Sequence, residues 1–80
     1  MVLPKAEKEW ADRASAFLKA KMKEAEVTYA ELAKRLKKHG FKDETEAGIT
    51  MKLKRGTFSA TFFLACLAAM ELEGVTLEEI

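Results

Sequence analysis

The chemistry that this sequence offers is concentrated in the lysines and arginines of its middle third. Residues 27–58 carry eight Lys and Arg against four Asp and Glu, a net charge of +4. The flanking segments differ, since residues 1–26 carry +1 and residues 59–80, which contain no Lys or Arg, carry −4. Clustered cations neutralise phosphates and release counterions, which supplies sequence-independent affinity for nucleic acid. The alternative is a solvated surface, because charged residues also keep small domains soluble.

Catalytic and metal-binding chemistry finds little support in the sequence. A catalytic site needs convergent groups, such as a nucleophile with its base or a pair of carboxylates. The chain has one histidine, His39, and one cysteine, Cys66, and its carboxylates are dispersed. Its four glycines are isolated rather than gathered into a phosphate-binding loop. We therefore predict no enzyme activity, no metal site and no cofactor.

Length and composition limit the architecture that positions these side chains. Eighty residues suffice for one domain with a single core, and we assign residues 1–80 to it. Glycine and proline are scarce and no segment alternates like a strand, so we expect an all-α fold. The longest apolar run, residues 60–70, is too short to cross a bilayer, and we expect no membrane partner. The lone cysteine and the lack of a signal peptide lead us to expect a cytoplasmic protein.

The first helix is predicted from Lys5 to about Lys23. Apolar residues recur there at helical spacing, namely Trp10, Ala14, Phe17, Leu18 and Met22. We expect Trp10 to be an anchor of the core rather than a base-stacking residue, since large aromatic side chains are highly buried on average.

The second helix has the clearest start signal in the chain. Thr28 and Glu31 form a capping box, in which the Thr28 hydroxyl accepts from the Glu31 N–H and the Glu31 carboxylate reaches back to the Thr28 N–H. Gly40 is expected to end this helix with a positive φ, after His39 as the C-terminal cap. The inward residues are Leu32, Ala33 and Leu36, and the outward residues are Lys34, Arg35, Lys37 and Lys38.

The third helix is predicted from Glu44 to about Arg55, with Asp43 as N-cap and Glu46 at its third position. Ile49 and Leu53 face the core. Because a glycine inside a helix costs roughly 1 kcal/mol relative to alanine, Gly48 indicates a close approach. We favour an approach to the second helix over an approach to a nucleic-acid backbone.

The fourth helix follows Gly56, which ends the third, and runs from Ala60 to about Leu72. Ser59 is its expected N-cap and Gly74 its expected stop. This helix is apolar nearly all round, so it must be the central core helix or carry part of a dimer interface. Cys66 within it is expected to act as a small buried hydrophobe.

Two resemblances to known families rest on these segments. The stretch Thr28-Tyr29-Ala30-Glu31-Leu32-Ala33, then a turn, a short helix and Leu53-Lys54-Arg55-Gly56, resembles the helix-turn-helix of the lambda-repressor-like (Xre/Cro-type) regulators. This resemblance covers about residues 27–70. The pattern from Trp10 through Arg55-Gly-x-Phe is also similar to a family of small bacterial proteins of unknown function that are predicted to be helix-turn-helix domains. Both imply a compact bundle of four main helices, with the helix-turn-helix over about residues 28–56 and a core helix over about residues 60–72.

Transferred position by position, the resemblance implies that the third helix enters the major groove of double-stranded DNA. The candidate groove residues are Thr45, Glu46, Thr50, Met51 and Lys52, and the candidate phosphate contacts are Lys34, Lys38, Lys54 and Arg55. Glu44 and Glu46 would oppose phosphates at the start of that helix, unless they serve only to initiate it.

The expected function is DNA binding by a small bacterial or phage-type transcriptional regulator. A homodimer is compatible with this function, because many such regulators bind paired half-sites. The alternative is a helical protein-interaction or homodimerisation module without DNA binding. That alternative is suggested by the apolar fourth helix together with the acidic C-terminal residues.

Overall fold

A computed structural model describes residues 5–80, and the four predicted helices are present in it. They are α1 (Lys5–Ala25), α2 (Tyr29–Lys38), α3 (Glu46–Arg55) and α4 (Ala60–Ala69), followed by a short 3₁₀ turn at Leu77–Glu79. Residues 5–80 contain no strand. The prediction of an all-α bundle is therefore confirmed.

Side-chain N-caps start three of the helices. The hydroxyls of Thr28, Thr45 and Ser59 each accept from the backbone N–H three residues later, at 3.1, 3.0 and 3.1 Å. Only half of the predicted capping box forms, because the Glu31 carboxylate accepts from Arg35 Nε at 3.2 Å instead of reaching back to Thr28. The predicted N-cap Asp43 is wrong, since Thr45 performs that role and α3 begins two residues later than expected.

Three helices end in the same hydrogen-bond pattern. The residue after the C-cap takes a positive φ, and the next backbone N–H donates five residues back, as in a Schellman motif. At the end of α2, Gly40 has φ +95° and the Phe41 N–H donates to the Leu36 carbonyl at 3.0 Å, as the sequence predicted. At the other two ends the positive φ belongs to a glutamate, Glu26 at 57° and Glu71 at 58°.

The end of α4 is therefore earlier than predicted. Glu71 reverses the chain, and the Leu72 N–H donates to the Leu67 carbonyl at 2.9 Å. The predicted stop at Gly74 is wrong, because the chain leaves the helix at Glu71 and the half-buried side chain of Leu72 packs against the core beyond the helix end. The predicted helix, ending near residue 72, is three residues longer than the helix in the structure.

The core lies where α2 packs against both α3 and α4, with α1 against α3. Its largest fully buried side chains are Phe62, Leu18, Leu32, Leu36, Ile49 and Cys66. The inward residues predicted for α2 and α3 are all buried. Every predicted inward residue of α1 except Trp10 and Ala14 is buried as well.

Trp10 is the clear error in that stripe, because its side chain is 52% exposed and lies beside Arg13, whose Cζ is 5.5 Å from the ring centroid. The smaller Ala11 and Ser15 turn inward in its place. Ser15 donates its hydroxyl hydrogen bond to the Leu53 carbonyl. Small residues are needed here because α1 approaches α3 closely.

Gly56 shows how close that approach is. Its φ is +72°, and a Cβ atom at this position would lie 2.9 Å from the Ala11 carbonyl oxygen. Glycine is required both for the left-handed conformation that ends α3 and for the contact with α1.

Candidate nucleic-acid interface

The solvent-facing side of α3 carries most of the predicted groove residues. Its exposed positions include Glu46, Thr50, Met51, Lys54 and Arg55, with Met51 53% exposed. Ile49 and Leu53 are buried on the opposite side. One side of this helix is fixed in the core, and the opposite side presents polar, cationic and apolar atoms to solvent.

The two threonines of this surface are already hydrogen-bonded within α3. Thr45 accepts from the Gly48 N–H at 3.0 Å, and Thr50 donates to the Glu46 carbonyl at 2.9 Å. The Thr50 hydroxyl keeps its acceptor lone pairs, and the Thr45 hydroxyl keeps its proton. Either group can therefore still take one further partner at the exposed surface.

Lys52 differs from the other four groove candidates. Its ammonium donates to the Glu44 carboxylate and lies 4.6 Å from the centroid of the Phe62 ring. The Lys52 side chain is 31% exposed and that of Glu44 is 5% exposed. The structure thus directs the amine of Lys52 toward the α2–α3 connection and α4 rather than to the outer side of α3.

Gly48 provides the space for this ion pair. A Cβ atom at position 48 would lie 2.7 Å from Glu44 Oε1 and 3.2 Å from Thr45 Oγ1. The predicted close approach at Gly48 is therefore made to the Glu44 side chain, and the favoured approach to the second helix is wrong. Sequence reasoning missed the pair because residues eight apart, one of them outside the helix, follow no helical spacing rule.

The four candidate phosphate contacts are all exposed, Lys34 and Lys38 on α2 and Lys54 and Arg55 on α3. None of them forms an ion pair with another side chain in the part of the chain whose side chains the structure describes, residues 6–78 and 80. Their ammonium and guanidinium groups are therefore available to an external anion.

Arg35, which was predicted to face outward, has a structural role. It is half-buried between the Glu31 carboxylate, 3.2 Å from Nε, and the Ala69 carbonyl, 3.1 Å from Nη1. It thereby ties α2 to the last turn of α4, where a cation also suits the negative end of the helix dipole. The sequence contained no signal for a contact between residues 34 positions apart.

The remaining reactive groups do not form a second site. Cys66 is fully buried, and its pKa is raised to about 12 by burial and by the nearby Glu44 carboxylate, with Lys52 acting in the opposite direction. Its thiol is therefore protonated at neutral pH. Among the side chains that the structure describes, no group of three or more His, Cys, Asp and Glu is placed to hold a metal ion. No helix in the described part of the chain has the length and apolar character needed to cross a membrane.

Residues 10–75 match a family described as a domain of unknown function (DUF6471). The chain belongs to this family. The match begins at Trp10 and includes α2, α3 and α4, so the resemblance to a family of unknown function is confirmed at that level. No curated protein and no solved structure matches the chain significantly. Membership of the DUF6471 family assigns no activity, and the resemblance to lambda-repressor-like regulators stays a prediction.

Proposed function

We propose that this DUF6471 domain binds double-stranded DNA through a helix-turn-helix formed by α2 and α3, as a small bacterial or phage-type transcriptional regulator. The observation that carries the proposal is the exposed side of α3, where Thr50, Met51 and Lys54 lie opposite a buried apolar side. A helix held from one side by a core can place its other side in the major groove. Hydroxyls read base edges there, and apolar side chains contact thymine methyl groups.

The internal neutralisation of Glu44 favours the same function. A carboxylate at the start of a groove-binding helix would repel phosphates, but Glu44 is buried and paired with Lys52. Glu46 is then the one exposed carboxylate in α3. A glutamate in the groove accepts a hydrogen bond from the cytosine amino group, so Glu46 is compatible with base recognition.

In this proposal Thr45, Glu46, Thr50 and Met51 contact bases, and Lys34, Lys38, Lys54 and Arg55 contact phosphates. Lys52 supports α3 through Glu44 rather than entering the groove. The protein acts by binding, without catalysis or a cofactor, and works in the cytoplasm.

The test is fluorescence anisotropy with a labelled generic duplex across a salt series. Affinity should fall steeply with salt, and each removed phosphate contact should reduce the slope of log K against log salt by about 1. Lys38→Glu and Arg55→Glu should both weaken binding. Lys8→Glu is the matched control, because it makes the same charge change on α1, where Lys8 pairs with the exposed Asp12.

Unchanged affinity in both the Lys38 and the Arg55 variant would contradict the proposed surface. An equal loss in the Lys8 control would show a general charge effect instead.

A helical protein-interaction module is the second candidate, and the exposure of Leu64 on α4 favours it. This side chain is 61% exposed, although α4 also supplies the buried Phe62, Cys66 and Leu67. Absence of duplex binding even at low salt, together with loss of self-association in Leu64→Glu, would make this the better function.

A further inference from the structure

A groove lies between α1 and α2 on a part of the surface that the proposed DNA contacts do not use. It has a volume of about 320 Å³ and is lined by Lys19, Met22, Lys23, Val27, Thr28 and Tyr29. Met22 and Val27 are buried core side chains, so the base of the groove is apolar. Lys19 and Lys23 are exposed at its rim.

The two lysines are an electrostatically unfavourable pair. They lie four residues apart on one side of α1, a spacing at which like charges destabilise a helix. Neither forms an ion pair with another residue of the described chain. An occupant that brings negative charge to the rim would relieve this repulsion.

The complementary chemistry is present elsewhere in the same chain, in residues 71–79, here called the acidic segment. Its carboxylates Glu71, Glu73 and Glu78 are exposed, and none forms an ion pair with a side chain that the structure describes (residues 6–78 and 80). Leu77 between them is 73% exposed, the most exposed of the large apolar side chains described. An unburied leucine flanked by unpaired glutamates matches an apolar groove rimmed by unpaired lysines.

In its own chain this segment leads to a different side of α1. Ile80, just after it, lines a second cleft together with Arg13, Phe17 and Lys21. Phe17 and Lys21 each lie two positions from Lys19, and two helical positions are separated by about 160° around the axis. The groove is therefore open to the acidic segment of another molecule.

We propose that the chain forms a reciprocal homodimer in which the acidic segment of each copy docks in the α1–α2 groove of the other. Leu77 packs on Met22 and Val27, and Glu73 and Glu78 lie beside Lys19 and Lys23. Both contacts are made between the same two copies and are related by a two-fold axis, so the assembly closes as a dimer rather than growing into a filament. It goes beyond the proposed DNA binding and does not depend on it.

Sedimentation velocity without DNA, from micromolar to millimolar protein, tests the proposal. The parent chain should shift from monomer to dimer with concentration, and rising salt should reverse the shift because the rim charges are screened. Lys19→Glu with Lys23→Glu should raise the dimer dissociation constant about a hundredfold, because like charges then face each other. Glu73→Lys with Glu78→Lys should do the same.

Mixing these two double variants is the decisive measurement. Each is self-repelling, but their heterodimer has one reversed contact and one parental contact, so it should form with an affinity within about tenfold of the parent. Lys34→Glu with Lys38→Glu is the matched control, because it changes an equally spaced exposed lysine pair on α2 and should leave the dimer intact. Leu77→Ala should also weaken the dimer, while circular dichroism confirms an unchanged helical fold.

A parent chain that stays monomeric throughout the series would overturn the proposal. So would a mixture of the two variants that does not associate, or an α2 control that weakens the dimer as much as the groove variant. Loss of duplex binding alone would overturn the proposed function and leave this inference standing.

Discussion

The ammonium of Lys52 donates to the buried carboxylate of Glu44, and so one ion pair joins the middle of α3 to the chain segment that precedes it. The same ammonium lies 4.6 Å from the centroid of the Phe62 ring on α4. A buried carboxylate is costly unless a cation compensates it, and a cation over an aromatic ring gains further stabilisation. The position of α3 against its neighbours therefore depends on this contact.

Replacing Glu44 with Gln should lower the free energy of unfolding by about 1–3 kcal/mol, because a neutral amide takes the place of the charged partner while Lys52 keeps access to water. Urea denaturation monitored by circular dichroism measures the effect. Glu46→Gln is the matched control on the exposed side of α3 and should change the stability by less than about 0.5 kcal/mol. Equal effects of the two substitutions would contradict a stabilising role for the ion pair.

Gly48→Ala should destabilise the protein by about 1–2 kcal/mol, although alanine is normally favoured over glycine in a helix. The reason is that the added Cβ would lie 2.7 Å from Glu44 Oε1. In a Glu44→Ala background the carboxylate is absent, and the same change should then stabilise α3 by up to about 1 kcal/mol. A double-mutant cycle measured by urea denaturation reveals this reversal of sign, and stabilisation in both backgrounds would exclude the clash.

Glu71→Gly should raise the stability by about 1 kcal/mol, because a non-glycine residue with a positive φ is strained. Glu71 has φ 58° at the end of α4. Thermal unfolding measures the change, and Glu26→Gly, at φ 57° after α1, should behave similarly. Glu24→Gly provides the contrast, because Glu24 lies within α1. This substitution should lower the stability of the protein by up to about 1 kcal/mol. Destabilisation by all three glycines would show that these ends are not strained.

Cys66 should make the stability fall in alkaline solution. Its pKa is raised from 9.0 to about 12 in the folded protein, so above pH 9 the unfolded chain releases a proton that the folded chain retains. Relative to Cys66→Ala, the free energy of unfolding should decrease by about 1.4 kcal/mol for each pH unit above 9 and level off above the folded pKa. Below pH 9 the difference between the two proteins should be constant. Urea titrations at several pH values provide the comparison, and parallel curves above pH 9 would contradict it.

Local signals determined most of the secondary structure from the sequence alone. Thr28 and Ser59 are N-caps as predicted, and Gly40 and Gly56 end their helices with positive φ. These features depend on hydrogen bonds and backbone preferences within one or two turns, which the neighbouring residues specify. The apolar spacing also determined which sides of α2 and α3 are buried, because a helix has a fixed period.

Among the candidate site residues on α3, the sequence correctly placed all but the half-buried Lys52 at exposed positions, but it did not identify the partner of each charge. Lys52, Lys54 and Arg55 look alike in the sequence. In the structure Lys52 forms an ion pair with Glu44, whereas Lys54 and Arg55 form none with the side chains that the structure describes. The difference arises because Lys52 lies beside Phe62 and the buried Glu44, and the proximity of these three residues is a property of the packed helices.

Where the sequence offered two similar N-caps, or two sides of a helix that could be buried, only the tertiary structure decided between them. Asp43 and Thr45 are both good N-caps, and α3 starts at the second because Glu44 must lie outside the helix to reach Lys52. Trp10 fits the apolar stripe of α1, but the close approach at Gly56 admits only small residues such as Ala11, so the helix is rotated and Trp10 faces solvent. The sequence specifies which helices form, whereas packing at close range selects the side that each one buries, because sterically excluded volume depends on atoms that are distant along the chain.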